Sequence, residues 1–206
     1  LEEMSFKLGI DLFGVTSIKR LERVNSIKIL KDFLSLEEGS IIVLGIHFFD
    51  PCVERAGEPP AESVAPYSYI QFQIQRQLIF AAMKVSRYLN NKDYLALPII
   101  DFSDGKFRTI CGYGEFYSLG LPDMKANALI AVAAGLGELG WNGMLLTPEY
   151  GPRQRVIGII TDALLKPDEI YRGESLCDRC FLCVDACPTK ALSKNESITV
   201  SVGERT

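Results

Sequence analysis

The 206-residue sequence has little of what marks a nucleic-acid-binding protein or a membrane protein. Lysine and arginine number 22 against 26 acidic residues, and they form no dense basic cluster that would follow a phosphate backbone. The longest apolar run, Ile41–Phe49, falls well short of the roughly 20 residues that span a bilayer. We therefore predict no nucleic-acid partner and no membrane span.

Repeats and low-complexity segments are absent as well, and the composition is that of an ordinary globular protein. Hydrophobic residues make up 48% of the sequence and charged residues 23%, which excludes a largely disordered chain. Apolar runs predict three strands, over Ser40–Phe49, Tyr94–Phe102 and Gln154–Leu165. Helical spacing predicts a long core-packed helix over Tyr69–Asn91 and an alanine-rich helix from Met124 that glycines end.

Mixed strands and helices over residues 1–170 favour an α/β or α+β core, with residues 171–206 as a small ferredoxin-like appendage. The segment Ser17–Leu34 is amphipathic and predicts further helix. Prolines, a glycine and scattered charges over Asp50–Pro66 predict an exposed loop between two ordered parts.

Four of the six cysteines lie within CDRCFLCVDACP, Cys177–Pro188. The spacing C-x2-C-x2-C-x3-C-P is the bacterial ferredoxin pattern, and thiolates are soft ligands that suit iron–sulfur clusters. A zinc site more usually separates two C-x2-C pairs, and two disulfides would be awkward in so short a stretch. The run predicts a 4Fe–4S cluster in an oxygen-sensitive protein of the reducing cytoplasm.

The pattern leaves the fourth ligand of the cluster open. In two-cluster ferredoxins the last cysteine of each run ligates the other cluster, and only one run is present here. Cys177, Cys180 and Cys183 are the expected ligands, and Cys187 either closes the same cluster or serves a second one. The remaining thiols, Cys52 and Cys111, are predicted to be small buried or loop residues rather than remote ligands.

The segment Ala134–Leu192, with GLGELGWNG, TPEYGP and TDALL before the cysteine run, resembles corrinoid-dependent iron–sulfur reductases. It is most similar to the reductive dehalogenases and more distantly to epoxyqueuosine reductase. The resemblance implies a nitroreductase-like core that binds cobalamin base-off, and a ferredoxin module that feeds electrons to cobalt. It implies cofactor contacts from a set of loop residues: Gly135, Gly137, Gly140, Asn142, Gly143, Thr147, Pro148, Glu149, Tyr150 and Gly151. The alternative for the glycines is helix termination and turns.

Reduction by a corrinoid usually needs a proton donor, and two residues are candidate catalytic groups. Asp101 resembles by position the proton-donating aspartate of epoxyqueuosine reductase. Tyr150 is a phenol of the kind that donates in the dehalogenases; Tyr94, Tyr113 and Tyr117 are further phenols. The only histidine, His47, lies in an apolar run without the D-x-H-x-x-G motif of histidine-ligated corrinoids, and is predicted to be a core residue with satisfied hydrogen bonds.

The sequence departs from these families at Trp141, where related segments usually place arginine or lysine beside the loop asparagine. That removes a charge expected to bind an anionic substrate group. Two functions stay open: a corrinoid-dependent reductase that takes electrons from a donor protein or reductant and acts on a small organic substrate, and a cofactor-free iron–sulfur electron-transfer protein. A flavin is disfavoured because Gly112–Gly120, the nearest phosphate-binding candidate, lacks a basic partner.

Overall fold

A computed structural model describes residues 1–22, 24, 27, 31–32, 34–56, 58, 67–99, 124–196 and 202. In chain order its elements are α1 (Glu2–Lys7), β1 (Leu12–Ser17), a 3-10 helix (Ile18–Leu21), β2 (Ser40–His47), α2 (Asp50–Glu54), α3 (Tyr67–Asn90), β3 (Ala96–Ile99), α4 (Met124–Ala133), β4 (Glu138–Leu139), β5 (Leu145–Leu146), β6 (Gln154–Thr161) and α5 (Leu182–Asp185). The three predicted strands and the two predicted helices are all present, and residues 100–102 of the predicted strand Tyr94–Phe102 lie outside the described part of the chain.

The main sheet has the strand order β1-β2-β6-β3, and each neighbouring pair is antiparallel. Strands β4 and β5 form a separate two-stranded hairpin. Helices and antiparallel strands in one chain confirm the α+β fold class. The nitroreductase-like and ferredoxin-like assignments within that class stay predictions.

Both faces of the sheet are covered, which explains why β2 is apolar at every position from Ile41 to Ile46 rather than at alternate positions. Ile42 and Leu44 face the side on which Leu78 of α3 is buried. Ile41 and Val43 point to the opposite side and share a cluster with Ile130 of α4. The core is therefore a three-layer arrangement with α3 and α4 on opposite faces of the sheet.

Helix α3 buries one face at the spacing that the sequence predicts. Its inward residues are Ile74, Leu78, Ala81, Ala82, Val85 and Leu89. Within the described residues, neither this helix nor another is both long and apolar enough to cross a bilayer.

The predicted loop Asp50–Pro66 was wrong at its start, where α2 forms over Asp50–Glu54. Pro51 stands in the first turn of this helix, where its missing N–H costs no hydrogen bond and its fixed φ suits helical geometry. Residues 57 and 59–66 lie outside the described part of the chain. Of the predicted helix over Ser17–Leu34, the structure describes chiefly the 3-10 turn Ile18–Leu21.

The segment after β6 runs back along the edge strand β1. The backbone N–H of Asp168 donates to the carbonyl of Val15 at 2.9 Å, and the Val15 N–H donates to the Asp168 carboxylate at 2.7 Å. Arg20 donates to the carbonyl of Asp168 at 2.6 Å and to that of Ala133 at 3.0 Å. The connection to the cysteine run is thus fastened to the core along the exposed edge of the sheet.

We expect Leu78→Ala to lower the free energy of unfolding by about 2–5 kcal/mol, because it leaves a cavity where α3 meets the sheet. Leu78 is 0% exposed, whereas Met83 on the same helix is 50% exposed. The matched control Met83→Ala should change the free energy of unfolding by less than about 0.5 kcal/mol. Urea denaturation of both variants tests this; equal losses would contradict the inward orientation of Leu78.

Candidate cofactor site

The residues with predicted cofactor contacts form one continuous segment between α4 and β6. At the end of helix α4, the Gly135 N–H donates to the carbonyl of Val132 at 3.0 Å, and the Leu136 N–H donates to the carbonyl of Ala131 at 3.1 Å. These two bonds make a Schellman motif, with Gly135 in the left-handed region at φ +81°. A Cβ at this position would overlap the carbonyl oxygen of Glu169. Helix termination and close packing therefore account for Gly135 without a cofactor.

The β4–β5 hairpin turns through Gly140–Gly143. The Gly143 N–H donates to the Gly140 carbonyl at 2.8 Å, and the Asn142 side-chain oxygen accepts the Met144 N–H at 3.1 Å. A Cβ on Gly137 would overlap the carbonyl oxygen of Leu146, so the hairpin backbone packs tightly at its base. Gly143, in contrast, has no atom of the described residues within 4 Å of the place where a Cβ would stand. Among these residues Gly143 leaves room for a ligand to approach the backbone.

The TPEYG loop is closed by its own hydrogen bonds. Thr147 and Gly151 exchange backbone hydrogen bonds of 3.0 and 2.9 Å, and the Thr147 hydroxyl accepts the Tyr150 N–H at 3.2 Å. Thr147 is buried, whereas Pro148 and Glu149 are exposed at the tip. The loop thus has a fixed shape that presents Tyr150 toward the end of β2.

Tyr150 stacks on the ring of His47, with ring centroids 4.3 Å apart and planes 19° apart. His47 is half-buried rather than in the core, and its Nε2 lies 3.4 Å from an Asp50 carboxylate oxygen. The Arg153 guanidinium lies 2.7 Å from the same Asp50 oxygen and 3.1 Å from a carboxylate oxygen of Glu54. The hydrogen bond from Arg153 holds the pKa of Asp50 below its usual value. Sequence reasoning treats His47 and Tyr150 separately, and no local pattern links them to Asp50 and Arg153, because the members come from β2, α2 and the loop before β6.

The cysteine run lies on an open loop around the short helix α5. Cys180 is exposed and the other three are half-buried, and none of the four forms a disulfide: Cys177, Cys180, Cys183 and Cys187. Arg179 and Phe181 adopt left-handed φ values of +57° and +61°, which curl the backbone between the first three thiols. The Thr189 hydroxyl, followed by backbone N–H groups, lowers the pKa of Cys187 to about 7.

This donor set suits an iron–sulfur cluster by its chemistry, since four thiols share one loop and a lowered thiol pKa favours the thiolate that binds metal. Among the described residues, no three histidine, cysteine, aspartate or glutamate side chains are already close enough together to hold a metal ion.

Trp141, at the tip of the β4–β5 hairpin, contacts the cysteine run. Its indole N–H donates to the carbonyl of Ser193 at 2.8 Å, and its ring meets that of Phe181 edge-on at 5.1 Å. The Arg179 guanidinium lies 5.8 Å from the centre of the Trp141 ring. Sequence reasoning singled out Trp141 as a change in the pocket and missed its contact with the cysteine run.

Several candidates from the sequence lie outside the described residues: Asp101, Cys111, Tyr113 and Tyr117. Tyr94 is exposed, and Cys52 is buried in α2, as predicted for a small apolar residue. A cavity of about 250 Å³ is lined by residues from the 3-10 helix and the segment after it: Ile18, Glu22, Ile27, Lys31 and Asp32. None of these residues belongs to the predicted corrinoid contacts.

Comparison with known proteins gives two groups of relatives. The chain is 30% identical to a tetrachloroethene reductive dehalogenase of Desulfitobacterium hafniense over 165 residues, which cover 77% of this chain and 28% of the relative. It is 28% identical to an epoxyqueuosine reductase of Synechococcus sp. (strain RCC307) over 146 residues, covering 66% of this chain and 42% of the relative. The chain is a homologue of both. The resemblance predicted from the sequence is confirmed.

The fold of the chain is similar to that of a solved structure from one of these groups. A solved epoxyqueuosine reductase, in complex with an epoxyqueuosine-modified tRNA stem loop, superposes with a TM-score of 0.56 and 20% identity, covering 92% of this chain and 52% of that one. No protein-family model matches the chain. The chain spans less than half the length of the curated dehalogenase and epoxyqueuosine reductase that it matches.

We expect Gly135→Ala to destabilise the protein by more than Gly143→Ala. Both glycines have positive φ, so each alanine costs about 1–2 kcal/mol in backbone strain. Only at Gly135 does the new Cβ also overlap backbone, that of Glu169. Thermal unfolding of the two variants tests this. A Gly135→Ala variant as stable as Gly143→Ala would show that the tail does not pack against the end of α4.

The Asp50–Arg153 contact should stabilise the fold at neutral pH and fail in acid. Because the folded-state pKa of Asp50 is lowered, its contribution is present above the unfolded value of 3.8 and is lost as pH falls through the folded-state pKa. We expect Asp50→Asn to lower the melting temperature at about pH 7, and the difference from wild type to be smaller at about pH 3, below the unfolded-state pKa of 3.8. Glu37→Gln, at an exposed site, is the control. A deficit of equal size at both pH values would assign the loss to something other than charge.

Proposed function

We propose that the chain is the redox part of a reductive dehalogenase-like enzyme, in which a 4Fe–4S cluster serves a corrinoid that reduces a small organic substrate. One observation carries this proposal: the β4–β5 hairpin, which bears the predicted corrinoid contacts, touches the predicted cluster loop through Trp141 and Glu138. Two cofactors that exchange electrons must be held at a fixed separation, and a rigid hairpin between their binding segments would do this.

The cysteine run would hold the cluster through Cys177, Cys180 and Cys183, with Cys187 as fourth ligand to this cluster or to another. When bound, the cluster supplies single electrons and the corrinoid supplies a reducible cobalt centre. The thiols of the run would have to lose their protons on binding, and Cys187 already has its pKa lowered to about 7 by the Thr189 hydroxyl. Residues 171–206 would thus form the cluster-binding segment beside a core of residues 1–170.

The remaining predicted residues would shape the corrinoid pocket and supply a proton. At Gly143 and Gly151 the described part of the chain leaves open the place where a Cβ would stand, so backbone there could approach a flat cofactor closely. Tyr150 has its ring fixed by the stack on His47, which would orient its phenol as a proton donor. Asp101 stays the second candidate donor.

The proposed partners are a reductant or electron-donor protein and a small organic substrate, in the reducing cytoplasm. The small organic substrate is supported by a relative that is named a tetrachloroethene reductive dehalogenase. The other group acts on epoxyqueuosine and includes a structure with a tRNA stem loop. The acidic chain, with 26 acidic and 22 basic residues, favours the small-molecule substrate over a nucleic acid.

A cofactor-free electron-transfer protein is the second candidate, and Trp141 favours it. Its large ring stands at the hairpin tip, among the residues with predicted corrinoid contacts, and packs against Phe181 of the cysteine run. A hairpin that serves only to support the cluster would need no corrinoid beside it.

Metal content distinguishes the two candidates. On protein prepared without oxygen in a host supplied with cobalamin, we expect about four irons and about one cobalt per chain. Four irons without cobalt would favour the cofactor-free carrier. A chain without iron after anaerobic preparation would refute both.

Matched cysteine variants locate the iron. Cys180→Ser removes an exposed thiol at the centre of the run and should abolish the visible absorption of the cluster and most of the bound iron. Cys52→Ala removes the buried thiol of α2 and should retain wild-type iron. Iron lost equally from both variants would count against the run as the binding site.

A further inference from the structure

One carboxylate of the core holds the entry to the cysteine run. Glu138 in β4 accepts the backbone N–H of Leu176 at 2.6 Å and that of Cys177 at 2.9 Å, both at the same oxygen. The Ser175 hydroxyl donates to this oxygen at 2.9 Å. Three donors separated from Glu138 by 37 to 39 positions in sequence therefore converge on one side chain.

Glu138 is itself fixed in place. It pairs with Leu146 in the hairpin, and the preceding residue, Gly137, packs so closely that a Cβ would overlap the Leu146 carbonyl. Two residues earlier, Gly135 packs against Glu169 of the returning tail in the same way. The carboxylate thus stands on backbone that has little room to shift, and the segment that it binds has little room to move relative to the core.

Hydrogen bonds from backbone N–H groups to an ionised carboxylate are roughly twice as strong as those between neutral groups. These bonds end at Cys177, the first predicted ligand of the cluster, and they bring a full negative charge to within one hydrogen bond of its backbone. The potential of an iron–sulfur cluster depends on nearby charge and on the hydrogen bonding around its ligands. An added electron is repelled by an adjacent carboxylate.

We propose that Glu138 is a positioning residue for the cluster: it fixes Cys177 relative to the core hairpin, and its charge lowers the reduction potential. The inference rests on the proposed function, since it requires a cluster on the cysteine run. It gives the GLGELG segment a role toward the iron–sulfur loop in addition to any contact with a corrinoid.

Two substitutions separate the hydrogen-bonding role of Glu138 from the effect of its charge. Glu138→Gln keeps a side-chain oxygen that can accept the two N–H groups but removes the charge, so iron should be retained and the midpoint potential should shift to a more positive value. Glu138→Ala removes the acceptor, so iron should be bound about 10- to 100-fold more weakly, as with other residues that support metal ligands, and a chelator should remove it faster. Glu174→Gln makes the same charge change on an exposed residue near Cys177 and should match wild type in both measurements.

Anaerobic redox titration followed by electron paramagnetic resonance, together with chelator kinetics, gives the outcome. Circular dichroism melting of each variant shows whether the fold survives. If the midpoint potential of the Glu138→Gln variant is no more positive than that of the Glu174→Gln variant, the proposed effect of the Glu138 charge is overturned. Iron release from a folded Glu138→Ala at the wild-type rate would overturn the positioning role. A wild-type chain that binds no iron would refute the proposed function as well, whereas iron-loaded wild type with unaffected Glu138 variants would refute this inference alone.

Discussion

The packing of α4 onto the centre of strand β6 is the constraint on which the rest of the structure depends. Gly158 of β6 donates its N–H to the buried side chain of Asn127 at 3.1 Å. The absence of a side chain on Gly158 lets Ile130 of α4 and Ile99 of β3 come close above it. A buried N–H needs a partner, so this contact fixes the position of α4 along the strand. Since the β4–β5 hairpin joins α4 to β6, its position follows from the same contact.

The hairpin in turn connects the core to the cysteine run by contacts of different kinds. Glu138 at its base accepts the backbone N–H groups of Leu176 and Cys177, and Trp141 at its tip packs against Phe181 between the second and third thiols. The hydrogen bonds to Glu138 are directional, and the aromatic contact of Trp141 adds buried area. Together they restrain the position and the orientation of the cysteine run relative to the hairpin. Rigid elements make more precise sites than free loops do, which suits the proposed role of the cysteine run as a cluster-binding segment.

Much of this architecture could be predicted because local sequence patterns indicate it. Helix α3 has its apolar residues at helical spacing, β2 is continuously apolar, and the cysteine spacing is itself the motif. The contacts that join these parts have no local pattern. Glu138 and Cys177 are 39 positions apart, and His47 meets Tyr150 only because the register of β2 and β6 brings their ends together. Such pairs depend on tertiary packing, and a single sequence does not contain them as a period or a motif.

The tertiary contacts also change the interpretation of Trp141. A tryptophan in place of a basic residue suggests, from the sequence, that a positive charge is missing beside the loop asparagine. In the folded chain, the Arg179 guanidinium lies 5.8 Å from the centre of that tryptophan ring. An exposed contact of this type contributes about 0.5–1 kcal/mol, enough to favour the position without fixing it. A positive charge therefore stands next to the turn, supplied by the cysteine run instead of the hairpin. The residue at position 141 alone is no argument against a substrate with an anionic group, because the charge at a site depends on everything that packs there.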